Sequence, residues 1–353
     1  MRQQSLSTSR SSNDGKKVIV FILLAAIGLF WAKWQPYFLK VFMVADKHSL
    51  GKSILIGSGS SIPAPSWAAA LGYAETYFLA IWKALLVAVI VASLVQVLVP
   101  RDWIVRVLGK TGFAGTVAGG LLALPGMMCT CCAAPIVIGL RKCKSSVGAA
   151  VAFWFGNTAL NPAVLIFMFF VLGWKFVVLR IVIGIILVFG ISYVANRIAG
   201  GEMVEEPVFA PAEKFNQEEQ GGWMSRWIKA IGKLLISIVP VYILSVLVLG
   251  FARAWLFPAG LAGVHSILLI VVLAVAGTFF VIPTAAEIPI IQSLLAIGIG
   301  SGPAAALLLT LPVISLPSIL MVRKSIPANV LLFLLTSVCA LGILSGLAAM
   351  VLF

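Results

Sequence analysis

The chain has 353 residues, of which 61% are hydrophobic and only 10% are charged, and its net charge is +14. Because soluble domains carry about 25% charged residues, this composition excludes a soluble globular protein. The basic residues lie in short segments beside apolar runs, as the positive-inside rule requires, and do not form a nucleic-acid-binding surface. Several uncharged runs exceed the roughly 20 residues that cross a bilayer, so the sequence predicts an all-α polytopic membrane protein.

The N-terminal region is predicted to hold a tail, one helix and a loop. Residues 1–17 are polar and rich in serine, which favours a disordered cytoplasmic tail. No small-x-small cleavage site follows the apolar run 18–31, so we expect an uncleaved first helix with its N-terminus in the cytoplasm. Residues 33–66 are then expected to form an external loop, which completes a region of residues 18–66.

The first membrane repeat is assigned to residues 67–199 and begins with a long apolar run. Because residues 67–99 exceed the length of one upright helix, we expect an interfacial lead-in over 67–81 and a span over 82–99. Two further spans are predicted at 145–174 and 175–199.

Between these spans lies an apolar segment, residues 113–140, that Pro125 and Gly126 interrupt. Basic clusters flank it on both sides, which a single crossing would not allow. Residues 113–124 would form only about 18 Å of helix, too short to span. A re-entrant hairpin explains both facts, and its break must be buried in protein or line a cavity.

An acidic cytoplasmic linker, residues 200–226, separates this half from a second membrane repeat, residues 227–353. The second half contains another broken apolar segment, 265–300, interrupted by Pro283 and Pro289. Its flanks carry no Lys or Arg and are therefore expected outside. Spans are predicted at 234–252, 303–322 and 327–353, for a total of about seven full spans and two re-entrant hairpins.

Short motifs recur in the two halves at one constant offset. Ala134-Pro135-Ile136-Val137 corresponds to Ile288-Pro289-Ile290-Ile291, and Gly148-Ala149-Ala150 corresponds to Gly302-Pro303-Ala304. Together with the opposite flanking charge, these matches predict two inverted repeats. Inverted repeats with broken helices are typical of secondary transporters, in which substrate binds at the repeat interface.

The first break concentrates sulfur. Three of the five cysteines and two of the nine methionines fall within six positions, at Met127, Met128, Cys129, Cys131 and Cys132. Thiolates and thioethers select soft ions, so these residues are candidate ligands for a transported metal or metalloid. The alternative is that buried Cys and Met only fill gaps in the core.

The second break carries Glu287, which is the only Asp, Glu, Lys or Arg residue between Ala254 and Val322. Carboxylates at membrane depth mark ion paths or proton relays, although a Glu paired to a backbone amide is the alternative. Asn157, Asn161 and Thr284 are further candidate substrate-binding residues. Hydrogen bonding between helices explains the asparagines equally well.

The proline-bracketed Cys motif, the following Gly139-Leu-Arg-Lys, the stretch Gly148-Ala-Ala-Val-Ala-Phe and the pair Asn161-Pro162 resemble the ArsP/YraQ-like family of predicted bacterial permeases. That resemblance implies a permease and, from characterised members, efflux of trivalent organoarsenicals or heavy metals. The family motif reads closer to Cys-Ser-Cys-Gly. Cys129 and Cys131 therefore match the family's cysteines, and Cys132 is an addition.

We therefore expect a multi-pass permease of the bacterial inner membrane that exports a soft metal or metalloid, with Glu287 as the candidate residue for coupling to protons. It is expected to be no enzyme, to need no cofactor and to bind no nucleic acid. Its partners are its substrate and the lipid bilayer, and its oligomeric state is open. One alternative is a membrane thiol-disulfide oxidoreductase that uses Cys129, Cys131 and Cys132, and another is a permease for a different small anion.

Overall fold

The computed structural model describes residues 18–56, 62–200, 223–257 and 267–353. The expected tail, residues 1–17, lies outside the described residues, as does most of the expected acidic linker, 201–222. Every regular element in the described residues is a helix.

The first half and the helix that precedes it contain eight of these helices. They are α1 (Val18–Lys47), α2 (Trp67–Leu98), α3 (Arg101–Leu108), α4 (Phe113–Ala123), α5 (Thr130–Lys142), α6 (Val147–Ala159), α7 (Pro162–Leu172) and α8 (Trp174–Ile198).

The second half contains six described helices. They are α9 (Trp223–Leu256), α10 (Ile267–Phe279), α11 (Glu287–Ala296), α12 (Ser301–Val313), α13 (Leu316–Val322) and α14 (Ala328–Leu352).

The prediction of a polytopic helical membrane protein with seven long spans is confirmed. By length and composition, seven helical stretches of the described residues can cross a membrane, and each corresponds to one expected span. The two broken segments are instead pairs of short helices, α4–α5 and α10–α11. A helix of 11 residues such as α4 is only about 16 Å long, which is half of a bilayer core.

Two expected helix boundaries differ from the structure. The helix that was expected to end near residue 31 continues to Lys47, and residues 30–34 of it form a π-helical turn. Pro36 explains this turn, because a proline within a helix removes a hydrogen bond and crowds the preceding turn, which one wider turn relieves. The expected lead-in before residue 82 is also absent, since α2 is one continuous helix of 32 residues.

The two halves share one order of helices. The helices α4, α6 and α8 begin 154 residues before α10, α12 and α14, respectively. Corresponding pairs also pack in both halves: α4 on α6 as α10 on α12, and α6 on α8 as α12 on α14. Between the halves, α7 of the first half packs on α11 of the second, and α13 of the second half packs on α5 of the first. Each half therefore packs one short helix against the broken segment of the other.

Side-chain hydrogen bonds between helix ends and loops fall into two groups, one at each end of the helix bundle. Arg141 Nε donates to Ser325 O at 3.1 Å, and Asn196 Nδ2 donates to Thr111 O at 2.5 Å. We call these four positions the first rim. They include the C-terminal end of α5 and the loop before α4, so the α4–α5 hairpin opens at the first rim.

The second rim consists of His48, Lys175, Gln292 and Leu352. Gln292 Nε2 donates to His48 O at 3.1 Å, and Lys175 Nζ donates to Leu352 O at 3.5 Å. Because α8 runs from Lys175 to beyond Asn196, a distance of about 30 Å, the two rims lie at opposite ends of the bundle. The α11 helix carries Gln292, so the two breaks approach each other from opposite rims.

Candidate functional site

The first break is a sharp change of backbone direction between α4 and α5. Residues 124–126 form a 3₁₀ turn, Met127 has a left-handed φ of 47°, and Cys129 is extended at the start of α5. Asn157 on α6 accepts a hydrogen bond from Met128 N at 3.4 Å. A Cβ on Gly126 would overlap the same Asn157 Oδ1, so glycine permits this approach.

The three cysteines of the break point in two directions. Cys129 Sγ lies 3.1 Å from Cys132 Sγ, whereas Cys131 Sγ lies 3.4 Å from Ser315 Oγ at the start of α13. The reason is helical geometry, because positions three apart share a face of a helix and positions two apart do not. Among the described residues, no group of three His, Cys, Asp or Glu side chains could hold a metal ion. The expected set of three sulfur ligands is therefore reduced to a pair in this conformation.

The second break places Glu287 at the first residue of α11. Ala285 has a left-handed φ of 70°, and Glu287 follows it with 1% of its side chain exposed. Its carboxylate stands at a helix N-terminus, where the helix dipole favours a negative charge. Arg180 on α8, which is equally buried, pairs with it through Nη2 and Oε1 at 3.1 Å.

Arg180 also satisfies carbonyl groups that the helices leave free. It donates to Thr158 O at 2.8 Å and to Ala159 O at 3.2 Å, both at the C-terminal end of α6. Its third carbonyl partner is Leu308 O at 3.3 Å, within α12. The residue four positions later is Pro312, which has no N–H for that carbonyl. One guanidinium group thus joins α6, α8, α11 and α12.

The second oxygen of Glu287 has no hydrogen-bond partner among the described residues. It is buried, and Glu287 lines a small cavity between the two breaks, about 10 Å³ in volume, which is about the size of one water molecule. The cavity is lined by Met128, Cys129, Thr158, Val164, Ile282, Pro283, Thr284, Glu287 and Pro312. Sulfur, hydroxyl and carboxylate groups from both halves therefore face one small space.

Helix α1 forms hydrogen bonds to both breaks beside this cavity. Lys33 Nζ, in the π-helical turn of α1, donates to Thr284 Oγ1 at 3.1 Å, and the next residue, Trp34, donates from Nε1 to Pro125 O at 2.8 Å. One turn of α1 therefore contacts both breaks. Lys33 was expected in an external loop, but only 6% of it is exposed.

The structure brings together four of the nine candidate residues, Met128, Cys129, Thr284 and Glu287, as lining of one cavity. Cys132 is adjacent through its sulfur contact, and Cys131 faces away toward α13. Met127 is half-buried at the turn.

The side chains of the two asparagines form hydrogen bonds to main-chain groups. Asn157 contacts the first break, and Asn161 caps α7 by accepting from Ala163 N and Val164 N. Their hydrogen bonds therefore match the packing interpretation.

Sequence reasoning missed two charged residues at this site, Arg180 and Lys33. The signal for Arg180 was available, because it is the only charge between Lys175 and Arg197 and a buried cation needs an anion. No comparable signal existed for Lys33, because Pro36 three residues later indicates the end of a helix.

Comparison with known proteins covers nearly the whole chain. Residues 66–351 match the model of a family described as "Predicted permease" (ArsP_1). The chain is 49% identical over 348 residues to "UPF0718 protein YraQ" of Escherichia coli (strain K12), with 98% of each chain covered. It is 23% identical over 313 residues to "UPF0718 protein MJ0584" of Methanocaldococcus jannaschii, covering 68% of this chain and 84% of that protein. No solved structure matches the chain.

Proposed function

Since this chain belongs to the family of predicted permeases, we propose that it is a secondary transporter exporting a soft metal or metalloid species, such as a trivalent arsenical, across the bacterial inner membrane. The N-terminus is cytoplasmic in this proposal, and the two membrane halves are inverted repeats.

The observation that carries the proposal is the cavity shared by Cys129 and Glu287. One residue comes from each break, and the breaks belong to different halves of the molecule. A site between two halves can open to one side and then to the other when the halves rock against each other. The thiol of Cys129 and the thioether of Met128 supply soft ligands for a thiophilic substrate.

Glu287 is suited to couple transport to protons. Its Oε1 is held by Arg180, while its Oε2 is buried without a hydrogen-bond partner among the described residues. An oxygen atom placed in this way can accept a proton released by a cysteine thiol when the substrate binds to sulfur. Intramembrane carboxylates commonly serve such relays.

Uptake of labelled arsenite, methylarsenite, Cu(I) and Zn(II) into inverted membrane vesicles tests the proposal. We expect Cys129→Ser and Glu287→Gln each to lower the uptake rate by about tenfold or more, equivalent to at least about 1.4 kcal/mol of lost substrate stabilisation. Cys339→Ser is the matched control, because Cys339 contacts Thr278 and does not line the cavity. Uptake at the control rate by both site variants would disprove the site assignment.

One observation favours a second function, thiol-disulfide exchange. Cys129 and Cys132 form a Cys-x-x-Cys pair at the start of a helix, with their sulfur atoms 3.1 Å apart. Both are nevertheless buried, with 5% and 0% exposed, so a protein thiol could not reach them in this conformation. Alkylation of growing cells distinguishes the two functions. A pair that alternates between thiol and disulfide supports the oxidoreductase, and a pair that stays reduced supports the transporter.

A further inference from the structure

Lys33 is a buried cation without an anionic partner in the part of the chain that the structure describes. Its ammonium group donates to Tyr37 OH and Thr284 Oγ1, both at 3.1 Å, and both partners are neutral hydroxyl groups. No carboxylate of the described residues lies within salt-bridge distance of Nζ. A third N–H of the ammonium group remains for another acceptor.

A buried ammonium group without a carboxylate partner is unfavourable by several kcal/mol, and the Tyr37 ring, whose centroid lies 5.1 Å from Nζ, offsets only part of this. One of the two hydrogen-bond partners of Lys33, Thr284, is a candidate substrate-binding residue. Thr284 lines the cavity together with Cys129 and Glu287. Thr284 therefore connects the ammonium group to the cavity.

The charges around the cavity do not balance. Arg180 and Glu287 neutralise each other, whereas the positive charge of Lys33 has no carboxylate partner among the described residues. In a medium of low dielectric constant, this charge strongly opposes the entry of a second cation. The free Oε2 of Glu287 requires a hydrogen-bond donor, and Lys33 requires an acceptor. A ligand with hydroxyl groups supplies both.

We propose that Lys33 is a specificity-determining residue of the site, whose ammonium group binds an oxygen atom of the ligand and excludes bare metal cations. The ligand class is a neutral or anionic oxo-acid of a thiophilic element, whose hydroxyl groups contact Lys33 and Glu287 while the central atom faces Cys129. This inference rests on the proposed transport function and adds α1 to the site. Lys33 lies before residue 66, so the match to the permease family model does not include it.

Purified protein in proteoliposomes, offered arsenite or Zn(II) in separate assays, tests this role. We expect the wild-type protein to transport arsenite and to exclude Zn(II). Lys33→Met should lower arsenite transport by about tenfold, and Lys33→Arg should retain most of it, because the charge is kept. Lys33→Glu should admit Zn(II). Lys40→Met is the control, since Lys40 lies two turns further along α1 and is exposed.

The outcomes separate this inference from the function on which it depends. Loss of arsenite transport in Lys33→Met, at an unchanged thermal unfolding midpoint, supports the role of Lys33. Equal arsenite transport by wild type, Lys33→Met and Lys40→Met would overturn that role and leave the transporter intact. Wild-type transport of Zn(II) in preference to arsenite would likewise overturn it. Failure of the wild-type protein to transport any tested species would contradict the proposed function itself.

Discussion

At the scale of single residues, the Arg180–Glu287 pair determines how the two breaks are held. A buried ion pair adds little stability by itself, because desolvation of both charges offsets their attraction. Removing only one partner is strongly destabilising, because the other charge is then left buried and unpaired. In this protein Arg180 also satisfies three backbone carbonyl groups, so the two partners are not equivalent.

We therefore predict an asymmetric result for the two single variants. Arg180→Met should destabilise the protein by about 3–5 kcal/mol, since it leaves Glu287 buried without a counter-ion and leaves the three carbonyl groups without a hydrogen-bond donor. Glu287→Met should destabilise it less, because Arg180 keeps its carbonyl partners. The double variant should be more stable than Arg180→Met alone while remaining inactive in transport. Thermal unfolding in detergent measures these differences, and strictly additive effects would contradict the pairing.

The same residues show how far sequence reasoning can reach. The lone carboxylate Glu287 in a long apolar segment was identified as a site residue because isolated charges are rare in membranes. The same principle also predicts that Arg180 pairs with Glu287, because each is the only charged residue in its apolar run. Lys33 required tertiary structure, because only the π-helical turn directs it to Thr284.

At the scale of elements, the first break depends on a close approach between Gly126 and Asn157. The asparagine accepts from Met128 N and donates to Phe153 O, which fixes its side chain. The interruption near residue 125 was predictable from Pro125-Gly126, since this pair disfavours a continuous helix. The partner that stabilises the turn was not predictable, because it lies on another helix.

We predict that Gly126→Ala disrupts this break, because the new Cβ overlaps Asn157 Oδ1. The expected loss of stability is about 1–3 kcal/mol, as for other overpacked sites, with transport reduced in parallel. Combining it with Asn157→Ala should remove the overlap, so the double variant should be no less stable than Asn157→Ala alone. Gly72→Ala is the control. Gly72 lies within α2 with open space around it, and alanine there should stabilise the helix by about 0.5–1 kcal/mol.

At the scale of the whole molecule, the two rims give the hairpins opposite directions. The α4–α5 hairpin opens beside Arg141 and Ser325, and α11 ends near Gln292 and His48. Inverted repeats require this arrangement. The number of long helices and the positions of both breaks followed from hydropathy, proline and charge. Hydropathy alone could not show that α2 is one continuous helix of 32 residues, because a long apolar run can be one tilted helix or a shorter span with a lead-in.

The orientation of the rims leads to a prediction about membrane sidedness. Single cysteines introduced at Lys110, Lys144 and Lys324 should all be cytoplasmic, because these exposed residues lie near the first rim and basic segments stay inside. A cysteine at Ile297, which is exposed after α11, should be external. A membrane-impermeant maleimide should therefore label only the Ile297 variant in spheroplasts and only the lysine variants in inverted vesicles. Labelling of Ile297 and Lys144 variants from the same side would contradict the inverted arrangement.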